Sequence, residues 1–440
     1  MVKKQRESSY TKRISRLENV GKELQNLECE HMQEELKHKT KTESKFEYLS
    51  HHISSKLLRK AFRKVCKSKG KHAAGVDGIN PLEYGRKDLS KKLGELLMKV
   101  KNRTYEPKSI KRTTTTKLNG EERPLGIQCV EDRILQCAIT MILEPIYDPG
   151  FREFSFGYRP NRSIHEAISY LQNKIGSSKK WKLLDMDLEK CFDSIPHEQL
   201  MKIINKRIQD PTILDLLDNW LKAGIKLPDG DLEYTENGTP QGAILSGLLA
   251  NIYLDEVIDK WFVEVFAPSV GGKCFMVRYC DDVIIGMEAD QEEELKPKIK
   301  ARLDEYDLSL NEAKTNELDF VGTGAPEQLR YLGFNICIKD RLPGRTISIK
   351  IPKDKLAAKL LEIDEILANK QTLKKKYERL NLTLRGACDH YSFPGCKDGL
   401  KRLRNETMTR WCKFLMDREL EPSEYPLIEM STSKRRGDTK

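Results

Sequence analysis

Long apolar runs are missing from this 440-residue chain. No stretch approaches the roughly 20 apolar residues needed to span a bilayer. The segment from Met1 to Arg16 also lacks the apolar centre of a secretory signal. A membrane protein is excluded on this reading, and the cytoplasm is the expected compartment. Cysteine pairing is absent too. The 11 cysteines are scattered from Cys29 to Cys412 without a C-x-x-C pair, which fits neither a disulfide framework nor a zinc site. They read as reduced, mostly buried small hydrophobes. No internal repeat is visible, and the first 50 residues contain no proline and only Gly21.

Charge is abundant: 33% of residues are charged against 38% hydrophobic, with a mean hydropathy of -0.61 and a net charge of +11. That balance describes a chain with a real core and a busy surface. The positive excess is uneven. Residues 1–70 hold 18 Lys/Arg and 9 Asp/Glu, residues 71–340 hold 37 and 44, and residues 341–415 hold 18 and 8. Two basic ends flank an acidic middle. Basic segments attract polyphosphate through counterion release, and acids inside a nucleic-acid binder make sense where some of them hold metal ions.

Ile14, Leu17, Val20, Leu24 and Leu27 are spaced by three or four, which predicts an N-terminal helix with one apolar stripe and a candidate surface for self-association. A second helix is expected from Ser54 to Lys67, followed by a loop at Gly75-Val76-Asp77-Gly78. From there to about residue 340, strand candidates such as Trp181 to Asp187 and Cys274 to Ile285 alternate with helical patterns. After Pro343 and Pro352 the pattern reads as helical to about Leu415, with a domain boundary near 345.

The chemistry concentrates in two places. Phe275 to Gly286 reads as a hairpin carrying Asp281 and Asp282 at its turn. Adjacent carboxylates between buried strands repel one another and resist desolvation; a divalent cation removes that cost. Trp181 to Asp187 is a second apolar strand ending in acids. If Asp187 lies beside the hairpin, three carboxylates can hold two Mg²⁺ ions for in-line phosphoryl transfer. All-oxygen ligands without His or Cys at ligand spacing favour Mg²⁺ over Zn²⁺, with Mn²⁺ as a substitute.

Further motifs occur in order along the chain. They are Gly75 to Gly78, Arg123-Pro124-Leu125-Gly126-Ile127, Glu131-Asp132-Arg133, Phe156 to Ser163, Asp187 to Asp193, Gly238-Thr239-Pro240-Gln241-Gly242, Leu248 to Ile252, Tyr279 to Asp282, Leu310 to Thr315, and Tyr331-Leu332-Gly333-Phe334. In this arrangement the chain resembles reverse transcriptases of the group II intron type, from about residue 55 to 412. The resemblance implies an α+β right-hand polymerase with antiparallel sheet in fingers and palm and an α-helical thumb. The implied divisions are a charged helical extension at 1–53, fingers at 54–180, palm at 181–340, a maturase X-like thumb at 345–415 and a flexible tail at 416–440.

The resemblance also implies roles. Asp187, Asp281 and Asp282 match the catalytic metal ligands. Lys117 and Arg123 match residues that grip the incoming triphosphate, and Phe192 matches an aromatic beneath the sugar that excludes a 2′-hydroxyl. Gln241 and Gly242 offer a side-chain-poor turn for template or nucleotide, Lys314 matches a palm lysine, and Arg159 and Arg162 are candidates for the template path, with a structural arginine as the alternative reading. His197 reads as a structural contact. The implied partners are an RNA template with a DNA or RNA primer, dNTPs, and a structured intron or non-coding RNA.

Cys280, Ala243 and Ser246-Gly247 depart from the family's usual alanine, glycine and Ser-Pro. No nuclease module is expected after residue 415. The alternatives that stay open are a domesticated enzyme for antiviral defence or repair that uses a non-coding RNA, and a maturase-type RNA-binding protein that assists splicing.

Overall fold

A computed structural model describes residues 26–116, 122–176, 180–239, 242–289, 295–320, 328–341 and 344–428. Its strands are β1 (Ile110–Thr116), β2 (Glu122–Ile127), β3 (Trp181–Asp187), β4 (Ile225–Lys226), β5 (Leu232–Glu233), β6 (Cys274–Tyr279), β7 (Asp282–Glu288), β8 (Asn316–Phe320), β9 (Gln328–Tyr331), β10 (Phe334–Arg341) and β11 (Gly344–Lys350). They form three sheets, in the orders β2-β1-β4-β5, β6-β7-β3-β8 and β11-β10-β9. The class is mixed α+β, with a C-terminal helical region.

The described residues divide into two compact units, and the chain passes between them repeatedly. One unit takes residues up to 161, 188–268 and 295–311; the other takes 162–187, 269–289 and 312–428. The division is interleaved where the sequence led us to expect consecutive modules. The cause is non-local pairing, since β3 bonds to β7 and β8, which lie about 100 or more residues downstream.

In the first unit the helix Val130–Tyr147 is buried on nearly every side and packs against the amphipathic helix Ser55–Lys67, whose N-cap Ser54 accepts from the Leu57 amide. The motif Glu131-Asp132-Arg133 lies in the first turn of that buried helix and ties four segments to it. Glu131 accepts from Tyr84 Oη at 3.2 Å, and Asp132 accepts from Tyr105 Oη at 2.7 Å and Trp220 Nε1 at 3.1 Å. Arg133 donates to the carbonyls of Gln128, Gly70 and Ala73, which anchors the approach to the Gly75–Gly78 loop. From residue 26 the N-terminal extension is helical to residue 39 and docks on this unit through buried Leu36, Phe46 and Leu49. The stripe from Ile14 to Leu24 lies outside the described residues, and Leu27 is exposed.

In the second unit the helix Ile164–Ile175 packs against β6. The helices Lys353–Ala368, Leu373–Tyr391 and Lys397–Met416 form the C-terminal region. Two sequence expectations are corrected here. The helical region begins at Lys353 rather than 345, because Gly344–Lys350 is a strand that pairs with β10; its Thr346-Ile347-Ser348-Ile349 alternates with period two and carries β-branched residues. The tail is also pinned as far as residue 428. Trp411 Nε1 donates to Tyr425 O at 3.1 Å, Tyr377 Oη donates to Pro426 O at 2.9 Å, and the Ile428 amide donates to Asn381 Oδ1 at 2.9 Å around buried Leu427.

The buried Asp132 makes the stability of the first unit depend on pH. Burial pushes its carboxyl from 3.8 up to about 6 against the opposing hydrogen bonds from Tyr105 and Trp220, and its Oδ2 is buried without a partner. The neutral acid therefore suits the fold. Its contribution is fully present below pH 3.8 and is lost as the pH rises through about 6. Asp132→Asn cannot ionise, so its stability relative to wild type should rise by on the order of 3 kcal/mol between pH 4 and 7 in denaturant titrations. A pH-independent difference would contradict this.

Candidate active site

Asp187 is the last residue of β3 and Asp282 the first of β7, and the antiparallel register makes them direct partners. Directly opposed residues present their side chains on one face of a sheet. β6 and β7 are joined by Cys280 and Asp281, with Tyr279 opposite Asp282, so Asp281 sits in the turn immediately before the paired acid. The three carboxylates named from sequence thus lie at one end of one sheet.

The same face holds a fourth acid that the sequence reading did not place in the site. Asp185 precedes Asp187 by two residues in β3, and period-two alternation puts both on one side. That spacing was the available signal. Burial pushes Asp185 up to about 6, helped by the charge of Asp187 and opposed by a hydrogen bond from Asn316. Asp282 is raised by desolvation first and then by Asp281, Asp185 and Asp187, yet it still presents surface to solvent. A group both crowded by like charge and accessible gains by meeting a cation.

Two residues ahead of β8 support Asp187. The Asp187 amide donates to Thr315 Oγ1 at 3.3 Å, and Lys314 Nζ lies 3.8 Å from Asp187 Oδ2. Lys314 thus lies beside one of the three carboxylates, while Thr315 is an additional support. Among the described residues, no three His, Cys, Asp or Glu side chains converge closely enough to enclose an ion. What fits Mg²⁺ is the chemistry of the donors: oxygen ligands alone, in mutual repulsion, at an accessible sheet edge.

Apart from Arg162, which opens the second unit, the other candidates belong to the first unit or fall outside the description. Phe192 is buried and meets the Tyr158 ring edge-on at 6.0 Å, while its carbonyl accepts from the Thr239 amide. Tyr158 in turn lies on Gly247, where a Cβ would come within 2.6 Å of the ring. This accounts for glycine at that departure from the family pattern. Gly242 has φ +101°, and a Cβ there would lie 2.8 Å from Leu125 Cδ1, so the turn packs closely on β2. Arg123 stands in β2 opposite Thr115. Lys117 and Gln241 lie outside the described residues.

Arg159 is corrected. Its guanidinium is buried and donates to Asp148 Oδ1 and to the carbonyls of Arg152, Ser155 and Asp148, at 2.7 to 3.0 Å. Those bonds occupy the side chain, and the structural reading replaces the template reading. Arg162, three residues on, is exposed. His197 is buried with Nε2 2.7 Å from the Gly238 carbonyl, in keeping with a structural contact. Cys280 and Cys191 are buried, as the metal argument requires of sulfur that stays out of the ligand set. No helix among the described residues is long and apolar enough to cross a membrane.

Known sequences give this geometry a family. The profile described as "Reverse transcriptase (RNA-dependent DNA polymerase)" matches residues 110–336, about half the chain. The group II intron-encoded protein LtrA of Lactococcus lactis is 36% identical over 211 residues, covering 47% of this chain and 33% of that protein. Protein YkfC of Escherichia coli is 37% identical over 219 residues, covering 49% of this chain and 57% of that protein. A putative COX1/OXI3 intron 1 protein of Saccharomyces cerevisiae is 27% identical over 349 residues, covering 67% of this chain and 40% of that protein. The match thus spans a third of one bacterial relative and 57% of the other, less than two thirds of either. With a matching profile over residues 110–336 and relatives encoded in group II introns, the chain belongs to the reverse transcriptase, or RNA-dependent DNA polymerase, family.

Proposed function

We propose that this protein copies a structured RNA into DNA by two-metal phosphoryl transfer, on a right-hand polymerase fold whose palm centre is the sheet β6-β7-β3-β8 and whose thumb starts at Lys353. The observation that carries the proposal is the pairing of Asp187 with Asp282 across β3 and β7, with Asp281 in the adjoining turn. Asp187, Asp281 and Asp282 would hold two Mg²⁺ ions. When bound, such ions activate the primer 3′-hydroxyl and neutralise the departing pyrophosphate.

The remaining roles follow from charge and shape. Lys314 beside Asp187 offsets part of the acids' repulsion and helps to orient that carboxylate. Lys117 and Arg123 supply positive charge to the triphosphate, and Gln241 and Gly242 contact the nucleotide or template. Phe192, five residues after Asp187 and backed by Tyr158, sets the sugar preference. Arg162 offers a template contact.

For the RNA partner, the basic surface is better located than the block charge alone allowed. Residues 1–50 hold 11 Lys/Arg and 9 Asp/Glu, whereas residues 51–71 hold 8 and none. The helix Ser55–Lys67 buries Leu57, Leu58, Ala61, Phe62 and Val65 and turns Lys56, Lys64 and Lys67 outward. An RNA backbone is best served by that face.

Asp281→Asn should lower primer extension on an RNA template roughly 100-fold or more, since a lost metal ligand removes several kcal/mol of transition-state stabilisation. Template–primer binding in a filter assay should be retained. Full incorporation by the variant would refute the mechanism. Separately, Phe192→Val should raise ribonucleotide use relative to dNTPs by on the order of tenfold, the scale of a steric pocket change. Unchanged sugar selection in competition assays would remove Phe192 from the gate.

A further inference from the structure

Arg278 lies in β6 with 0% of its surface exposed, next to the buried apolar Val277 and opposite buried Val283 of β7. Burying a guanidinium in such a place is costly unless its hydrogen bonds do something an apolar residue could not. Arg278 Nη1 donates to the carbonyl of Cys280 at 3.2 Å. Cys280 has φ 59°, a left-handed conformation that costs a residue with a Cβ roughly 1 kcal/mol or more and must be held from outside.

Two residues along the chain, a second buried side chain makes the matching contact. Tyr331, the last residue of β9 and 3% exposed, donates from Oη to the carbonyl of Asp282 at 3.1 Å. The carbonyls of residues 280 and 282 flank Asp281. Each is gripped from within the fold, one by a neighbouring position in the same hairpin and one from another sheet. The backbone that carries both turn acids is thereby fixed at two points, while Thr315 fixes the Asp187 amide across the sheet.

We propose that Arg278 and Tyr331 are positioning residues that clamp the Asp281–Asp282 backbone in the conformation its carboxylates need to receive divalent cations. The proposal rests on the polymerase reading above and adds to it two residues that contribute no ligand. A ring-packing role for Tyr331 would survive loss of the hydroxyl; a clamp would not.

The test is Mn²⁺ binding to the free protein, followed by the electron paramagnetic resonance signal of unbound Mn²⁺, for wild type, Asp281→Asn, Tyr331→Phe and Arg278→Lys. Tyr331→Phe keeps the ring and should weaken Mn²⁺ binding about tenfold, the scale for residues that orient metal ligands, with an unchanged melting temperature. Arg278→Lys should act in the same direction, and high Mg²⁺ should restore primer extension by Tyr331→Phe. If Tyr331→Phe binds Mn²⁺ as tightly as wild type while Asp281→Asn does not, the clamp is wrong and the metal assignment stands. If wild type and Asp281→Asn bind alike, the metal assignment fails and the clamp falls with it.

Discussion

The register between β3 and β7 is the constraint on which the site depends. Asp187 faces Asp282 because Trp181 faces Glu288 and every pair between them follows in step. A slip of one residue would turn the β7 side chains to the opposite face, sending Asp282 away and forcing Val283, Ile285 and Met287 into the space where Ile284 and Gly286 now pack. The apolar residues of β7 are buried almost completely, so the hydrophobic pattern that specifies the core also specifies where the acids meet. Chemistry and folding are set by the same alignment.

That alignment brings like charges together, and the surrounding residues manage the consequence. Lys314 supplies a nearby positive charge, Asn316 bonds Asp185, and burial together with the neighbouring charges makes Asp185 and Asp282 hold their protons more tightly than isolated acids. Arg278 bonds the Cys280 carbonyl, Tyr331 the Asp282 carbonyl and Thr315 the Asp187 amide, all of them backbone groups. Asp132, in the other unit, shows the contrasting solution: an acid sealed in the core, tied to a tyrosine and a tryptophan and suited to its neutral form.

The local part of this account was legible in the sequence. Acids at the end of one apolar strand and in the turn of another are short-range patterns, and the helix Ser55–Lys67 carried both its cap and its apolar face in plain view. What could not be read depended on distant partners. Arg159 looked like a template contact until Asp148 and three carbonyls were found around it. The strand Gly344–Lys350 was hidden between Pro343 and Pro352, of which only Pro352, the N-cap of Lys353–Ala368, marks the start of a helix. The tail from Glu421 reads as polar and loose because its fixed points, Trp411, Tyr377 and Asn381, belong to other helices. Asp185 was visible at the right spacing, but its burial beside Asp187 follows from the pairing of β3 with β8.

The central claim is that divalent cations bind where the end of β3 meets the β6–β7 turn. Replacing Mg²⁺ with Fe²⁺ and adding peroxide generates hydroxyl radicals at the bound ion, which cut the backbone nearby. The account predicts cuts confined to the neighbourhoods of Asp187 and of Asp281–Asp282, suppressed by excess Mg²⁺ and absent in Asp187→Asn. Cleavage elsewhere, or cleavage indifferent to Mg²⁺ and to Asp187, would contradict it.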